Sequence, residues 1–458
     1  MSEAPPRGDV RYEDIPPHGL QWLDAERIAA ELRSRLEAEL LRVCRNRRHI
    51  YLMLSGGLDS RIIAAALSEA YRRGELEGKP VGVTWGLPDS RDVVYGKEVA
   101  RILGLEWIHV PLSAIDIVDN VETVAKHLGG LIPALDIHRA MWFHQVEPDA
   151  IVLAGSYGDS VGRAEYSGRT VLELEPYSPQ QAFPLLETKV ALAGTAALIE
   201  DFAALRARTP AQPEYVYCEH EQQCHYMRGL FGTGLSVVGR HCDFYQMFTD
   251  PSVYGFMWSI HPALRTNEPY ACLLRSYNEK LVRLPWPRTN RAVMGRTEGA
   301  RRQLRPSYHD YDEWVRGPVY DQLRDLVDPI WFAQTGVFNS SAIESLDQYL
   351  RSGSRPTTMT RSCIPRTYVW LAAVRRFADL AKERGVSLAP GNCELEFERA
   401  VDTIQTRRAF NPLRRWLHRH PTIRRWLKAA KVRRLRRASV RRYPPTSPTD
   451  NSTRIPTP

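Results

Sequence analysis

Apolar positions along this chain alternate between two periods. From 24 to 43, Ile28, Leu32, Leu36, Leu40 and Leu41 fall mostly at three- and four-residue steps, which predicts an amphipathic helix capped by Asp24. The apolar run Tyr51-Leu-Met-Leu54 reads as a strand, and Arg61-Ile-Ile-Ala-Ala-Ala-Leu67 as the opening of a helix. The alternation continues with strand 81–85, a loop over 86–90, helix 92–103, strand 107–110, helix 116–127, loop and helix over 132–143, and strand 150–154. A βαβαβ rhythm of this kind predicts an α/β fold, a parallel sheet with flanking helices, followed by a helical C-terminal part. A polar, loop-rich stretch over 163–188 reads as a substrate-facing insertion, after which helical patterning resumes over 189–206.

In sheets of this type ligands gather at the carboxyl ends of the strands. Two such ends carry unusual chemistry. The first strand enters Ser55-Gly56-Gly57-Leu58-Asp59-Ser60. The glycines let the backbone turn sharply and bring amide N–H groups close to a ligand, while Ser55, Ser60 and the following helix N-terminus add donors. This is a cradle for pyrophosphate or nucleotide phosphates, and the carboxylate of Asp59 inside it calls for a divalent cation. It is not the Walker loop, which needs a lysine. The fourth strand ends in Gly155-Ser156-Tyr157-Gly158-Asp159-Ser160-Val161-Gly162 and brings the second carboxylate. On neighbouring strands, Asp59 and Asp159 could together hold one or two Mg²⁺ against a triphosphate.

Composition changes the picture in two places. The chain has 458 residues and a formal net charge of +9, but 403–449 alone holds fifteen Arg and Lys. Removing those fifteen charges from +9 leaves the remainder at −6, so the basicity belongs to a tail. There, Trp and Leu interleave with arginine in two Arg-Arg-Trp-Leu repeats at 414–417 and 424–427. A basic amphipathic segment over 391–442 could meet a partner protein, an anionic membrane surface or nucleic acid through 403–442, or remain simply solvated. Residues 443–458 are rich in Pro, Ser and Thr and read as disordered, as does the lead 1–20, which lacks the apolar core of a signal peptide. Seven scattered cysteines fit a reducing, cytoplasmic setting, with peripheral membrane attachment through the tail left open. No apolar run reaches the ~18 residues a membrane span needs.

Two other segments invite functional readings. Cys218/His220, Cys224/His225 and His241/Cys242 are close pairs, but their spacing is not that of a zinc site, and apolar neighbours such as Tyr226, Met227, Leu230 and Phe231 read as helix packing. Over 244–260, Tyr245, Phe248, Tyr254, Phe256, Met257 and Trp258 either line an apolar acceptor pocket or pack in the core.

The Ser55–Ser60 loop resembles the SGGxDS loop of the N-type ATP pyrophosphatases, which cleave ATP between the α- and β-phosphates on an adenine nucleotide alpha-hydrolase-like fold. The ordered set is similar to the synthetase domain of asparagine synthetase and its relatives, the β-lactam synthetases and lasso-peptide cyclases. It comprises the leading helix, SGGLDS, the segment from Thr84-Trp85-Gly86 to Val110, the strand ending in Gly155 to Asp159, Leu284-Pro285, Tyr311-Asp-Glu-Trp-Val-Arg316, and the stretch around Tyr368. The likeness extends over roughly 20–385, within a synthetase domain bounded at 21–390. It implies ATP and Mg²⁺ as cofactors. Nucleotide binding falls to Leu54, Ser55, Gly56, Gly57, Asp59, Ser60, Gly155 and Ser156, with Thr84, Trp85 and Gly86 at the adenine or ribose. Asp59 and Asp159 become metal ligands, and Tyr157 contacts an adenylate.

Three departures qualify the resemblance. The position after the initiator methionine is Ser2, where a glutaminase domain would carry cysteine, and 54 residues precede Ser55. The expectation is a synthetase that does not make its own ammonia. Both glutamates of the family's Gly-Glu-Gly-x-Asp-Glu are absent, although Asp159 survives. The late lysine has no match; Arg288-Thr-Asn-Arg291 lies there, and Arg291 or Arg288 would supply positive charge to departing pyrophosphate, though not as a comparable acid. The expected reaction is adenylation of a carboxylate, small molecule or peptide, and transfer of the acyl group to ammonia or an amine. A nucleotide- or tRNA-modifying enzyme and a non-catalytic protein of the same fold remain alternatives.

Overall fold

The computed structural model describes residues 18–163, 165–166, 169–170, 185–208, 212–297, 303–352 and 358–386. Helix α1 (Ala25–Cys44) begins where Asp24 accepts the Arg27 N–H at 2.7 Å, and it buries Ile28, Leu32, Leu36 and Leu40 along one face. β1 (Ile50–Met53) leads to α2 (Leu58–Arg72), which starts three residues earlier than the apolar pattern implies. Gly57 takes the extended cap conformation, so Leu58, Asp59 and Ser60 already form the first helical turn. β2 (Pro80–Gly86), α3 (Arg91–Leu103, capped by Ser90), β3 (Glu106–Pro111) and α4 (Ile115–Leu128) follow as expected within one or two residues. Where loop and helix are expected over 132–143 there are two 3₁₀ turns, Ala134–Ile137 and Ala140–Gln145. β4 (Ile151–Ala154) is buried throughout.

Beyond β4 a two-stranded antiparallel hairpin, β5 (Glu165–Tyr166) and β6 (Arg169–Thr170), occurs where a loop was expected. Helices α5 (Thr188–Arg208) and α6 (Glu214–Glu221) come next; α6 continues as a π-helix over Gln222–Gly232 into the turn α7 (Thr233–Leu235). The chain then returns to the sheet as β7 (Asp243–Gln246), an element the aromatic composition of 244–260 conceals.

The five strands are all parallel, in the order β3-β2-β1-β4-β7. Ile50 of β1 pairs with Pro80 on one side and Ile151 on the other. The chain winds outward from β1 through β2 to β3, then crosses back to β4 and out to β7. The winding therefore reverses between β1 and β4, the crevice where open α/β sheets bind ligands. Both glycine-rich strand ends open onto it.

Alternation along β1 divides the interior in two. Ile50 and Leu52 face a core built with α1, α2, α3, α8 (Pro251–Ser259), α9 (Asn267–Tyr277) and α10 (Glu279–Arg283). Tyr51 and Met53 face one built with α4 and the C-terminal helices α11 (Tyr311–Arg316), α12 (Tyr320–Leu326), α13 (Pro329–Gln334), α14 (Ser340–Arg351) and α15 (Thr358–Glu383). This is the adenine nucleotide alpha-hydrolase-like arrangement with a helical C-terminal part. Phe248, Phe256 and Met257 belong to the first core, and Tyr245 and Tyr254 pack against it. Trp258 is 3% exposed and stacks with Tyr254. None of the six aromatic-segment residues lines the large cavity at the strand ends, so their acceptor-pocket reading gives way to core packing.

His18–Leu20, assigned by sequence to a disordered lead, are held in place. Gly19 N–H donates to the Trp258 carbonyl at 3.0 Å, and His18 joins a buried cluster with Glu219 and Arg265. Most of the 163–188 insertion, the tail 391–442 and the terminus 443–458 lie outside the described residues. Among the described residues no helix is long and apolar enough to cross a membrane.

Candidate active site

The turn from β1 into α2 is closed by its own serines. Ser60 Oγ accepts the Ser55 N–H at 3.1 Å and donates to the Ser55 carbonyl at 3.2 Å, while Ser55 Oγ accepts the Gly57 N–H at 3.0 Å. Gly56 has no room for a side chain: a Cβ would lie 2.5 Å from Pro287 and 2.8 Å from Tyr95. The second strand end docks directly on the first. A Cβ on Gly155 would lie 2.8 Å from the Ser60 amide nitrogen, and one on Gly158 would lie 2.6 Å from Asp59 Oδ1. The G-x-x-G-D pattern is therefore a packing requirement. It lets the β4 turn sit against the first turn of α2 and brings Asp159 beside Asp59.

The electrostatics reflect that approach. Burial, and then the neighbouring Asp59 carboxylate, lift Asp159 to about 6, with Arg163 partly opposing the rise. Arg163 ends the short π-helical turn Gly158–Gly162 and pairs with Asp59 through Nη2–Oδ2 at 3.2 Å. Tyr270 closes the turn from behind by donating its hydroxyl to the Gly158 carbonyl at 3.0 Å.

Two cavities open at these strand ends. The larger, about 840 Å³, is lined on one side by Leu54, Ser55, Gly57, Asp59, Ser60, Thr84, Trp85, Gly155 and Ser156. The smaller, about 300 Å³, is lined by Asp159, Arg163, Arg91 and Arg288. Gly57 and Asp92 line both, so the N-terminus of α2 and the first turn of α3 form the boundary.

Most of the sequence-predicted nucleotide residues thus converge. Gly56 and Gly86 support the site without lining it. Gly86 has φ +139°, and a Cβ there would meet Tyr308 and Val93 at 3.0 Å. Tyr157 has φ +73° and is only 9% exposed, packed in the α1-side core with its hydroxyl toward Gly232, and it does not line the cavity. Arg291 is exposed; its carbonyl accepts the Trp286 N–H at 2.9 Å, and it lines neither cavity. Of the two late arginines, only Arg288 stands at the site.

Several site residues escaped the sequence reading. Arg61 is fully buried and donates to four carbonyls: Gly56 and Leu281 at 2.6 Å, Pro285 at 3.0 Å and Leu284 at 3.1 Å. It ties the SGGLDS turn to the 281–287 segment. Burial pushes it down to about 9, and the same burial lifts Asp92 to about 6, each opposed by the other's charge. In the larger cavity, His138 has φ +47° and sits between two phenols, with Tyr311 Oη at 2.7 Å from Nδ1 and Tyr308 Oη at 3.1 Å from Nε2. Burial lowers it to about 3, with His309 and Arg366 adding to the effect, so the imidazole is neutral near pH 7. Asp136 and Arg366 pair at 2.6 Å on the same wall. The sequence signal for Asp92 was its place in the first turn of α3 behind the Ser90 cap. His138 lies in a stretch with no periodicity to mark it.

The Cys and His pairs have separate surroundings. Cys218 is buried in α6, His225 packs edge-on against Phe202, and His241 pairs with the Val146 carbonyl at 2.7 Å. Among the described residues no group of three or more His, Cys, Asp or Glu could hold a metal.

Residues 31–208 match the family described as asparagine synthase. The match takes in both glycine-rich strand ends and supports an ATP-dependent, amide- or lactam-forming ligase activity in general, without singling out one member. No curated protein matches the chain. The donor set fits the nucleotide such an activity implies: amides at the α2 N-terminus, the Ser55 hydroxyl and three guanidinium groups around the smaller cavity. It also fits a divalent cation shared with phosphates, because Asp159 is a buried carboxylate with a like charge beside it.

Proposed function

We propose that this protein activates a carboxylate with ATP and transfers the acyl group to ammonia or an amine, releasing AMP and pyrophosphate. The observation that carries this reading is the pair of cavities meeting at Gly57 and Asp92. A nucleoside in the larger one, over Leu54, Thr84 and Trp85, would direct its phosphates past the SGGLDS turn into the smaller, arginine-lined one. Cleavage between the α- and β-phosphates would then leave pyrophosphate in one chamber and the acyl-adenylate in the other.

In the first step a carboxylate oxygen bonds to the α-phosphorus and the bond to the bridging α,β-oxygen breaks. The Ser55–Ser60 turn and the positive end of α2 face the charge that develops on the leaving pyrophosphate. Arg288 and Arg91 add fixed guanidinium charge there, the role that the sequence assigned to Arg291 or Arg288. Mg²⁺, when held at Asp159 beside the Arg163–Asp59 pair, would supply charge neutralisation at the triphosphate. In the second step the nitrogen attacks the acyl carbon, the bond to AMP breaks and the nitrogen releases one proton to water. The remainder of the larger cavity, bounded by His138, Tyr308, Leu230 and Phe231, has room for both the acyl group and the nitrogen nucleophile. Its aromatic lining and the neutral His138 between two tyrosines suit a substrate with apolar surface and a few hydrogen-bonding groups.

The test is product analysis. Full-length protein incubated with ATP, Mg²⁺, pooled carboxylic acids or peptides, and ammonia or amines should form AMP and pyrophosphate in equal amounts. Accumulation of ADP and phosphate would overturn the reading.

A further inference from the structure

Next to the two carboxylates stands a cation that the chain itself provides. Arg163 closes the turn that carries Asp159 and reaches back to Asp59. Its Nη2 donates to Oδ2 at 3.2 Å and its Nε to Oδ1 at 3.4 Å, the two-point pairing a guanidinium makes with a carboxylate. Nη1 donates to Asn267 Oδ1 at 3.2 Å, and the group lies over the rings of Trp286 and Tyr270. With 4% of its side chain exposed, this is a fixed position inside the site. Among the described residues, the titratable and charged groups facing it include Asp59, Asp159 and Tyr270, and Asp92, Arg91 and Arg288 share its cavity.

We infer that Arg163 is a resident cation that holds Asp59 in the place of a divalent ion, so that the site takes up no metal ion by itself and a single one with nucleotide. Both oxygens of Asp59 are engaged by the guanidinium, so a dication on their remaining lone pairs would lie against the positive charge of a buried arginine. A second cation left beside that arginine would meet strong repulsion in a site poorly screened by water. What remains is Asp159, one carboxylate, and hard dications bound through one or two carboxylates generally complete their shell with substrate phosphates. The inference about the nucleotide-free site stands on geometry alone; the nucleotide-bound part rests on the proposed function.

Mn²⁺ alone is the probe, titrated into the full-length protein and followed by the electron paramagnetic resonance signal of the free ion. Without nucleotide, the wild type should show no saturable micromolar binding. Arg163→Met, which leaves two adjacent carboxylates without their cation, should bind Mn²⁺ at least ~10-fold more tightly, whereas Arg163→Lys should stay near the wild type. Wild-type binding as tight as that of Arg163→Met, or no binding by a folded Arg163→Met, would overturn the inference. A second measurement needs no variant: with an ATP analogue carrying a methylene bridge between the α- and β-phosphates, the wild type should bind one Mn²⁺ per site, and two would overturn it. An analogue that does not bind at all would count against the proposed function, and the nucleotide-free comparison would still decide the role of Arg163.

Discussion

Replacing Arg61 by methionine tests whether the phosphate turn is held by a buried strut. The guanidinium makes four hydrogen bonds, two at 2.6 Å, one at 3.0 Å and one at 3.1 Å, all to backbone carbonyls and all out of contact with water. Methionine fills a similar volume and donates nothing. Each buried carbonyl that loses its donor costs roughly 1–3 kcal/mol, so four give an upper range near 4–12 kcal/mol. Against this, the wild type carries the cost of burying a guanidinium, expressed in its descent to about 9, and the methionine variant is relieved of it. The net expectation is a loss of about 3–5 kcal/mol in urea unfolding. Because this side chain bonds both Gly56 and the 281–285 segment, affinity for an ATP analogue should fall by at least ~10-fold under conditions where the variant is folded. Arg61→Lys should recover part of the stability, since an ammonium has three donors for four acceptors. A methionine variant within about 1 kcal/mol of wild type, with unchanged nucleotide affinity, would refute the strut argument.

Three further outcomes follow from the same geometry. Gly158→Ala pushes a methyl to 2.6 Å from Asp59 Oδ1, so it should cost about 1–3 kcal/mol and reduce AMP formation far more than that loss implies, as measured by thermal melts and product assay on one preparation. Arg288→Ala should weaken pyrophosphate inhibition of AMP formation by ~10-fold while Arg291→Ala changes it less than about twofold; equal effects would contradict the placement of Arg288 alone at the smaller cavity. Glu219 is buried, which opposes its charge, but Arg265 and His18 hold it down to about 2 from 4.5. A depressed carboxylate stabilises the fold above its unfolded value and loses that contribution as pH falls. About 3 kcal/mol should therefore disappear between pH 4.5 and 2, and the stability gap between wild type and Glu219→Gln should narrow in that window.

The part of the fold legible in the sequence is the part built from local patterns. The parallel strands through β4 and helices α1 to α4 announce themselves by period and caps, and the SGGLDS turn by composition. β7 did not, because its four residues, Asp-Phe-Tyr-Gln, carry no alternation of their own and become a strand only by pairing with β4. The start of α2 was placed late because Leu58–Ser60 looks like loop; its helical turn is fixed by Ser60 reaching back to Ser55, a contact no spacing rule isolates.

At the site, the sequence brought together the residues whose backbone meets the ligand cradle and missed those that act across long separations. Arg61 reads as the polar opening of an alanine-rich helix, yet three of its four partners lie more than two hundred residues away. Arg163 reads as the start of a polar insertion, and nothing in its surroundings says that it turns back 104 residues to Asp59. Tyr157 illustrates the reverse. Its neighbours in the glycine-rich turn line the cavity, but its positive φ carries the ring into the core.

The central claim is that ATP is cleaved at its α-phosphorus by a carboxylate. ATP–pyrophosphate exchange across a panel of carboxylic acids and peptides, with candidate amines present and absent, addresses it most directly. Exchange should depend on a particular acid, require Mg²⁺ and vanish in Asp59→Ala. Exchange that persists in Asp59→Ala, or acid-dependent cleavage of ATP to ADP and phosphate, would contradict it.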